Sequence, residues 1–344
     1  MDNNSLISPK FLKEELFPLK VELWHRIENY RITIKNILAG KDPRLLLFMG
    51  PCSVHNVPAF MTYAEWAKNL HEKYSDVFFL ILRSHLEKPR TCAGWKGFLN
   101  DPHLNGSFDI NFALKQSRKL LRELTDLGIP IALEFVDPLS SYYLEDLVSF
   151  SFIGARTVTS PIHRQMASRL SMPVGFKNTL DGTWHHAVHA MKNAMHPQTF
   201  LGINEEGKIS IVHSAGNPDS VLVLRGGEKH PNYSCRSIES AFQTLKMYDC
   251  PSRLIIDCSH GNSQKSLDNQ IKVFEEIIKQ ICLSSDKIRG IMIESYIRKG
   301  KQPFLGSKPH PEISLTDPCL DLEATQRLLA NAKQRLQPLF AGAK

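Results

Sequence analysis

The chain has 344 residues, 42% of them hydrophobic and 22% charged, with a net charge of +7. That composition excludes disordered and fibrous classes, and the scattered Lys and Arg, with no basic run interleaved with aromatics, argue against nucleic-acid binding. Seven irregularly spaced cysteines with no CxxC, and a charged N-terminus (Asp2, Lys10, Lys13, Glu14, Glu15) with no apolar stretch behind it, predict a cytoplasmic protein with reduced thiols, no signal peptide and no membrane span.

Residues 1–40 read as a helical N-terminal extension, KFLKEELFPL followed by VELWHRIENYRITIKNILAG. Short apolar runs then recur: LLLFMG (45–50), FFLILR (78–83), IALEFV (131–136), FIGAR (152–156), PVGFKN (173–178), VLVLRGG (221–227), LIIDCSH (254–260) and IMIES (291–295). Runs this short without polar alternation suit strands buried on both faces of a parallel sheet. Helical patterns at 111–128, 141–150, 183–195, 237–248 and 270–281 lie among them, and 322–339 follows the last. TFLGINEEGKISIVH (199–213) alternates around Gly207 and reads as a β-hairpin inserted before the sixth run. Eight strands alternating with helices predict an α/β fold of the (β/α)8 TIM barrel type over 41–344. The alternative is an open doubly wound sheet, which usually carries a Gly-rich loop where MGPCSVHN stands.

In a barrel the C-terminal strand ends converge on one face, so the polar residues ending these runs meet. They are Cys52, Arg83 with Lys88 and Arg90 beyond it, Glu134, Arg156, Lys177, Arg225, His260 and Glu294. Six are cationic, and a mouth so charged calls for an anionic ligand. RSHLEKPRTCAGWKG (83–97) concentrates basic residues around Pro89, which a solvated helix face would not contain. In GAR (154–156) and RGG (225–227), Gly beside Arg is expected to let backbone N–H groups approach an oxyanion while the guanidinium clamps it. Lys177 ends a buried run and needs a partner, an anion or a catalytic task. Cys52, His260, Glu294 and Asp317 together offer S, N and O donors suited to a borderline divalent ion. Cys258 and Cys282 read as buried structural thiols.

Taken together, GPCSVHN, RSHLEKPRTCAGWKG, NDPH, LEFVDP, FIGARTVTS, PVGFKN, SAGN, LRGG, IDCSHGNSQK and ESY resemble the metal-dependent type I 3-deoxy-D-arabino-heptulosonate 7-phosphate (DAHP) synthases, in the same order from about residue 35 to 320. The resemblance implies a barrel that condenses phosphoenolpyruvate with erythrose 4-phosphate and releases phosphate, the step opening the shikimate pathway to aromatic amino acids. It implies one divalent ion (Mn, Fe, Co or Zn) on Cys52, His260, Glu294 and Asp317. Phosphoenolpyruvate would be held by Arg83, Lys88, Arg156, Lys177, Arg225 and the Ala155 N–H, and the erythrose phosphate by Arg90 and Thr91. Glu134 is expected beside phosphoenolpyruvate, with Lys88 and His260 as the groups that move protons. The extension would serve subunit contact in a homo-oligomer, dimer or tetramer, and regulation by an aromatic amino acid.

Departures stand at Ser84-His85-Leu86, where the family has an aromatic pair, and at Thr159, Pro161 and the PCLDL following Thr316-Asp317. The neighbouring octulosonate 8-phosphate synthases carry an Asn-containing loop in place of KPRT. A non-catalytic amino-acid sensor on the same fold is the alternative from another class.

Overall fold

The computed structural model describes residues 5–91, 94–283, 286–304 and 308–341; residues 1–4 of the extension and Cys92 of the basic loop lie outside them. A π-helical turn, Phe11–Leu16, precedes α1 (Val21–Ala39), which ends on Gly40 in the left-handed conformation (φ 76°). The chain then alternates: β1 (Leu45–Gly50), α2 (Val57–Lys73), β2 (Phe78–Arg83), α3 (Ile110–Leu127), β3 (Ile131–Glu134), α4 (Ser140–Leu144), β4 (Phe150–Ile153), α5 (Pro161–Arg169), β5 (Val174–Lys177) and α6 (His185–Ala194). A hairpin of β6 (Gln198–Ile203) and β7 (Ile209–Ser214) interrupts the alternation. It resumes with β8 (Ser220–Leu224), α7 (Cys235–Met247), β9 (Leu254–Asp257), the short α8 (His260–Ser263), α9 (Leu267–Cys282) and β10 (Ile288–Glu294). Two short strands, β11 (Arg298–Lys301) and β12 (Ile313–Ser314), and α10 (Leu322–Ala341) finish it.

Eight parallel strands close in the order β1-β10-β9-β8-β5-β4-β3-β2, with Leu46 opposite Gly290 and Leu45 opposite Phe78 across the two ladders of β1. The barrel is the one the sequence predicts. Strand side chains alternate between two cores. Leu46, Phe48, Phe79, Phe150, Phe152 and Met292 fill the interior, while Leu45, Leu47 and Met49 face the helices. The interior cluster also takes in Ile34, Ile37 and Leu38 of α1, so that helix closes one end of the barrel with apolar side chains.

Three sequence expectations are corrected. The helix expected over 141–150 breaks into α4 and a 3-10 turn, Glu145–Leu147, and the strand expected at 152–156 begins two residues earlier, at Phe150. Phe150 and Phe152 must both reach the interior, and a helix running to 150 would prevent it. Helices α2 and α5 were not anticipated, although Asn56 caps α2 through the Ala59 N–H and both helices carry Pro in their first turn. The β11–β12 pair carried no apolar alternation to announce it. Cys258 is buried as expected, but Cys282 is only half-buried.

Off the barrel, the hairpin presents Leu201, Ile209 and Ile211 to solvent, 79%, 84% and 65% exposed. The N-terminal segment reaches its turn through the Lys10 N–H to Glu205 O (2.8 Å) and the Lys10–Glu206 ion pair. Among the described residues no helix is long and apolar enough to cross a membrane.

Candidate active site

The barrel end opposite α1 carries a polar cavity, and the strand-end residues converge on it. Arg83, Lys88, Arg90 and Glu134 line one side; Ala155, Arg156, Lys177, Arg225, His260 and Asp317 line the rest. Cys52 and Glu294 are fully buried beneath them. Thr91 sits at the rim, its hydroxyl accepting from Arg156 Nε at 2.6 Å. Every site residue expected from the sequence is thus in one place.

Cys52 Sγ and one carboxylate oxygen each of Glu294 and Asp317 lie within 4.8 Å of one another. His260 Nε2 is 3.5 Å from Glu294 Oε1 but falls outside that mutual set. Each member of the set has one lysine or arginine in contact. Lys88 Nζ donates to Cys52 Sγ (3.0 Å), Arg83 Nη2 to Glu294 Oε1 (2.9 Å), and Lys265 Nζ lies 3.1 Å from Asp317 Oδ1. Burial and Glu294 push the Cys52 thiol up against the pull of Lys88, so without a further positive charge this thiol is held protonated. A divalent ion would supply that charge, and the soft S beside N and O donors fits a borderline metal.

The surroundings fix these groups. Ser259 Oγ donates to the other Glu294 oxygen (2.7 Å), and the Gln270 amide spans the Glu294 backbone, accepting from its N–H at 2.8 Å. Asp257 Oδ2 lies 2.8 Å from His260 Nδ1, leaving Nε2 to face the cluster. Burial alone would raise the Asp257 pKa, but His260, Lys177 and Arg83 hold it well below the usual carboxylate range. His260 itself sits at φ 47°, a left-handed conformation unusual for a non-glycine residue. Ser53 Oγ and Thr316 Oγ1, 3.0 Å apart, tie the loop bearing Asp317 to the loop bearing Cys52.

Lys177 Nζ donates to Glu134 Oε2 at 3.2 Å, and this answers the need for a partner. Burial would raise Glu134, but Lys177, Lys88 and Arg83 outweigh it and keep the carboxylate ionised. Gly154 is required here because a Cβ at that position would lie 2.2 Å from Glu134 Oε1.

The expectation for RGG is corrected. The Gly226 N–H donates to Asn232 Oδ1 (2.8 Å) and the Gly227 N–H to His230 O (2.9 Å), so neither is available to an oxyanion. Gly226 instead admits the backbone of 261–262, which a Cβ would strike at 2.3–2.4 Å. A buried amide trio, Asn178, Asn232 and Asn262, holds this loop; Asn178 Oδ1 accepts from the Arg225 N–H at 2.7 Å. By contrast, the Ala155 N–H donates to no acceptor among the described residues.

In the basic loop, Glu87 accepts from the Asp137 N–H (3.0 Å) and Ser140 Oγ (2.8 Å), and the Lys88 N–H returns to Lys96 O (2.9 Å). Gly97 packs on this hinge, since a Cβ there would meet Leu86 O at 2.5 Å. Trp95 is largely buried, its Nε1–H on Asp101 O at 2.8 Å. At the departure from the family pattern, His85 is buried 3.9 Å from Glu134 Oε2 and edge-on to Phe152. Burial, then Arg83, Lys177 and Lys88, hold its pKa far below the ordinary value, so the imidazole is neutral. Thr159 is exposed and Pro161 opens α5.

Sequence reasoning passed over Lys265, Asp257, Ser259, Gln270 and the three asparagines. Lys265, Asp257, Ser259 and Asn262 fall inside the IDCSHGNSQK stretch, so their signal was the motif itself. Gln270 lies on α9 and carried none.

Residues 26–330 match the family model described as the DAHP synthetase I family. The Tyr-sensitive phospho-2-dehydro-3-deoxyheptonate aldolase of Escherichia coli K12 is 44% identical over 339 residues, 97% of this chain and 94% of the relative. The Trp-sensitive enzyme of the same organism is 43% identical over 337 residues, 98% and 96% of the two chains. The solved structure of phospho-2-dehydro-3-deoxyheptonate aldolase from Francisella tularensis SCHU S4 superposes with a TM-score of 0.94 at 39% identity, covering 97% of each chain. A matching model over most of its length and relatives of this identity make the chain a member of the DAHP synthetase I family.

Proposed function

We propose that the chain is a cytoplasmic DAHP synthase that joins C3 of phosphoenolpyruvate to the aldehyde carbon of erythrose 4-phosphate, adds water at C2 and releases inorganic phosphate. One observation carries the reading. Arg90, Arg156 and Arg225 face the cavity without a carboxylate partner among the described residues, directly above the Cys52–Glu294–Asp317 cluster. Three unpaired guanidiniums leave room for the charges of two phosphorylated substrates.

Arg156, Arg225 and the Ala155 N–H are the phosphate clamp for phosphoenolpyruvate, while Lys88, Lys177 and Arg83 offset its carboxylate. Arg90 and Thr91 take the phosphate of the aldehyde. The 2.6 Å bond from Arg156 to Thr91 links the two anion seats. Cys52, His260, Glu294 and Asp317 would hold one divalent ion, which supplies Lewis-acid polarisation of the aldehyde when bound. Glu134, kept ionised, is placed to accept a proton from the water adding at C2. Lys88, raised above its ordinary pKa despite burial because Cys52, Asp317 and Glu294 surround it, stays protonated and can donate to the forming hydroxyl.

The exposed apolar side chains of β6 and β7, with the extension anchored to their turn, are the surface through which we expect copies of the chain to associate. Sensitivity to an aromatic amino acid, as in the names of the two Escherichia coli relatives, is proposed for this chain as well; titrating Phe, Tyr and Trp into the assay tests it, and indifference to all three removes it.

The test of the reaction is formation of the seven-carbon keto acid. It should require both substrates and appear in step with phosphate. Phosphate release from phosphoenolpyruvate alone, or an equal rate with arabinose 5-phosphate, would overturn the assignment.

A further inference from the structure

Beside the inner cavity lies a second one of about 590 Å³, and the two share Arg90, Lys265, Thr316 and Asp317 as a common wall. Lys301 of β11 stands across it, and Asp317 is its one acid among the described residues. Neither Arg90 nor Lys301 has an ion-pair partner among the described residues, so the outer cavity offers a seat for an anion beside Asp317 of the Cys52–Glu294–Asp317 cluster.

Lys265 stands between these two charge systems. The three cations on the Cys52–Glu294–Asp317 cluster are not equivalent. Arg83 is 1% exposed, and Lys88 is half-buried with Nζ on both Cys52 Sγ and Cys52 O, so both are fixed. Lys265 is 59% exposed, on an acid that is 22% exposed, and such a solvent-facing pair is weakly held. Gln264, which caps α8, and Lys265 both lie in the left-handed region, at φ 51° and 60°, and from there the Lys265 side chain reaches Asp317.

Resting on the condensation reading above, we propose that Lys265 is an exchangeable cation. It neutralises Asp317 in the resting protein and, when a divalent ion takes that carboxylate, transfers to the phosphate of the aldehyde substrate, where Arg90 and Lys301 meet it. Lys265 is therefore both a competitor of the metal and a specificity-determining contact for the phosphorylated aldehyde. Lys301 has the second task only.

The experiment uses the full chain, with Mn2+ titrated against the free-ion paramagnetic resonance signal and steady-state rates measured with erythrose 4-phosphate and with unphosphorylated erythrose. K265M should bind Mn2+ about threefold more tightly or better, because its competitor is gone. Its preference for the phosphorylated aldehyde should fall about tenfold, with the KM for phosphoenolpyruvate unchanged. K301M should lose part of the preference and leave Mn2+ affinity alone, and K265R should return both quantities toward wild type. Unchanged Mn2+ affinity in K265M, an unchanged preference, or a K265R indistinguishable from K265M would each overturn the exchange. A wild-type protein that binds Mn2+ but turns over neither aldehyde would sink the condensation reading instead, and the Mn2+ comparison would still decide the role of Lys265.

Discussion

The two ends of the barrel are made by the same eight strands and are opposite in chemistry. At one end Ile34, Ile37 and Leu38 of α1 join Leu46, Phe79 and Phe150 in a dry plug. At the other, the next side chains along the inward face are Arg83, Glu134 and Lys177, all buried and all charged. The plug gains free energy from burial. The charged end is stable only because every buried carboxylate and the Cys52 thiol has a cation, or donors, in contact. Stability is thus concentrated at one end and reactivity at the other, and substitutions at the two ends should separate those properties.

The largest effect is expected at the charged end. Cys52→Ala or His260→Ala should lower the rate by about a thousandfold or more if, as proposed, each is a donor to the divalent ion that polarises the aldehyde. Circular dichroism should stay near wild type in both, because the strand ladders do not rely on these side chains, whereas the melting midpoint should hold in Cys52→Ala and fall in His260→Ala, which leaves the buried Asp257 without its partner; full activity in either variant at trace metal would break the comparison. At the plug, Ile37→Ala should cost about 2–4 kcal/mol in denaturant unfolding while KM for both substrates holds, since it opens a cavity far from the cluster.

A pH measurement sharpens the boundary between the ends. Glu87, buried under the basic loop, has its pKa pushed up to about 7 by burial, against the donors from Ser140 and Asp137. An acid raised on folding contributes stability that is complete below its unfolded value and is lost as pH rises through the folded one. Wild type should therefore lose about 2–3 kcal/mol between roughly pH 4.5 and 7 relative to Glu87→Gln, read as the difference between two unfolding series. Parallel series would show that the loop is not held in this way. The smallest effect belongs to neither end: Lys10→Ala breaks an exposed ion pair with Glu206 and should leave melting midpoint and rate unchanged.

How legible this was depends on the kind of signal. The strands could be read because most are short apolar runs ended by a charged or turn residue, and the charges at those ends line one cavity. β4 was misplaced because Ser151 interrupts its apolar run, so FSFI did not stand out from the helix-like YYLEDLV before it. α2 was passed over although its cap, Asn56-Val57-Pro58, was in plain view. The oxyanion role expected of Gly226 and Gly227 failed for a physical reason: a glycine that turns a loop toward a ligand and one that admits a neighbouring backbone look alike in one dimension. The supports of the site, Gln270 under Glu294 and the asparagine trio under Arg225, are fixed by long-range contacts that no local pattern announces.

The central claim is that the charged end works through a bound divalent ion on Cys52 and its neighbours. The direct test is phosphate release from phosphoenolpyruvate plus erythrose 4-phosphate, first with chelator and then with Mn2+, Fe2+, Co2+ or Zn2+ restored, in wild type and Cys52→Ala. The account predicts release that the chelator abolishes, that metal restores in wild type and that no metal restores in the variant. Chelator-resistant release from folded protein, or a variant rescued to wild-type rate, would contradict it.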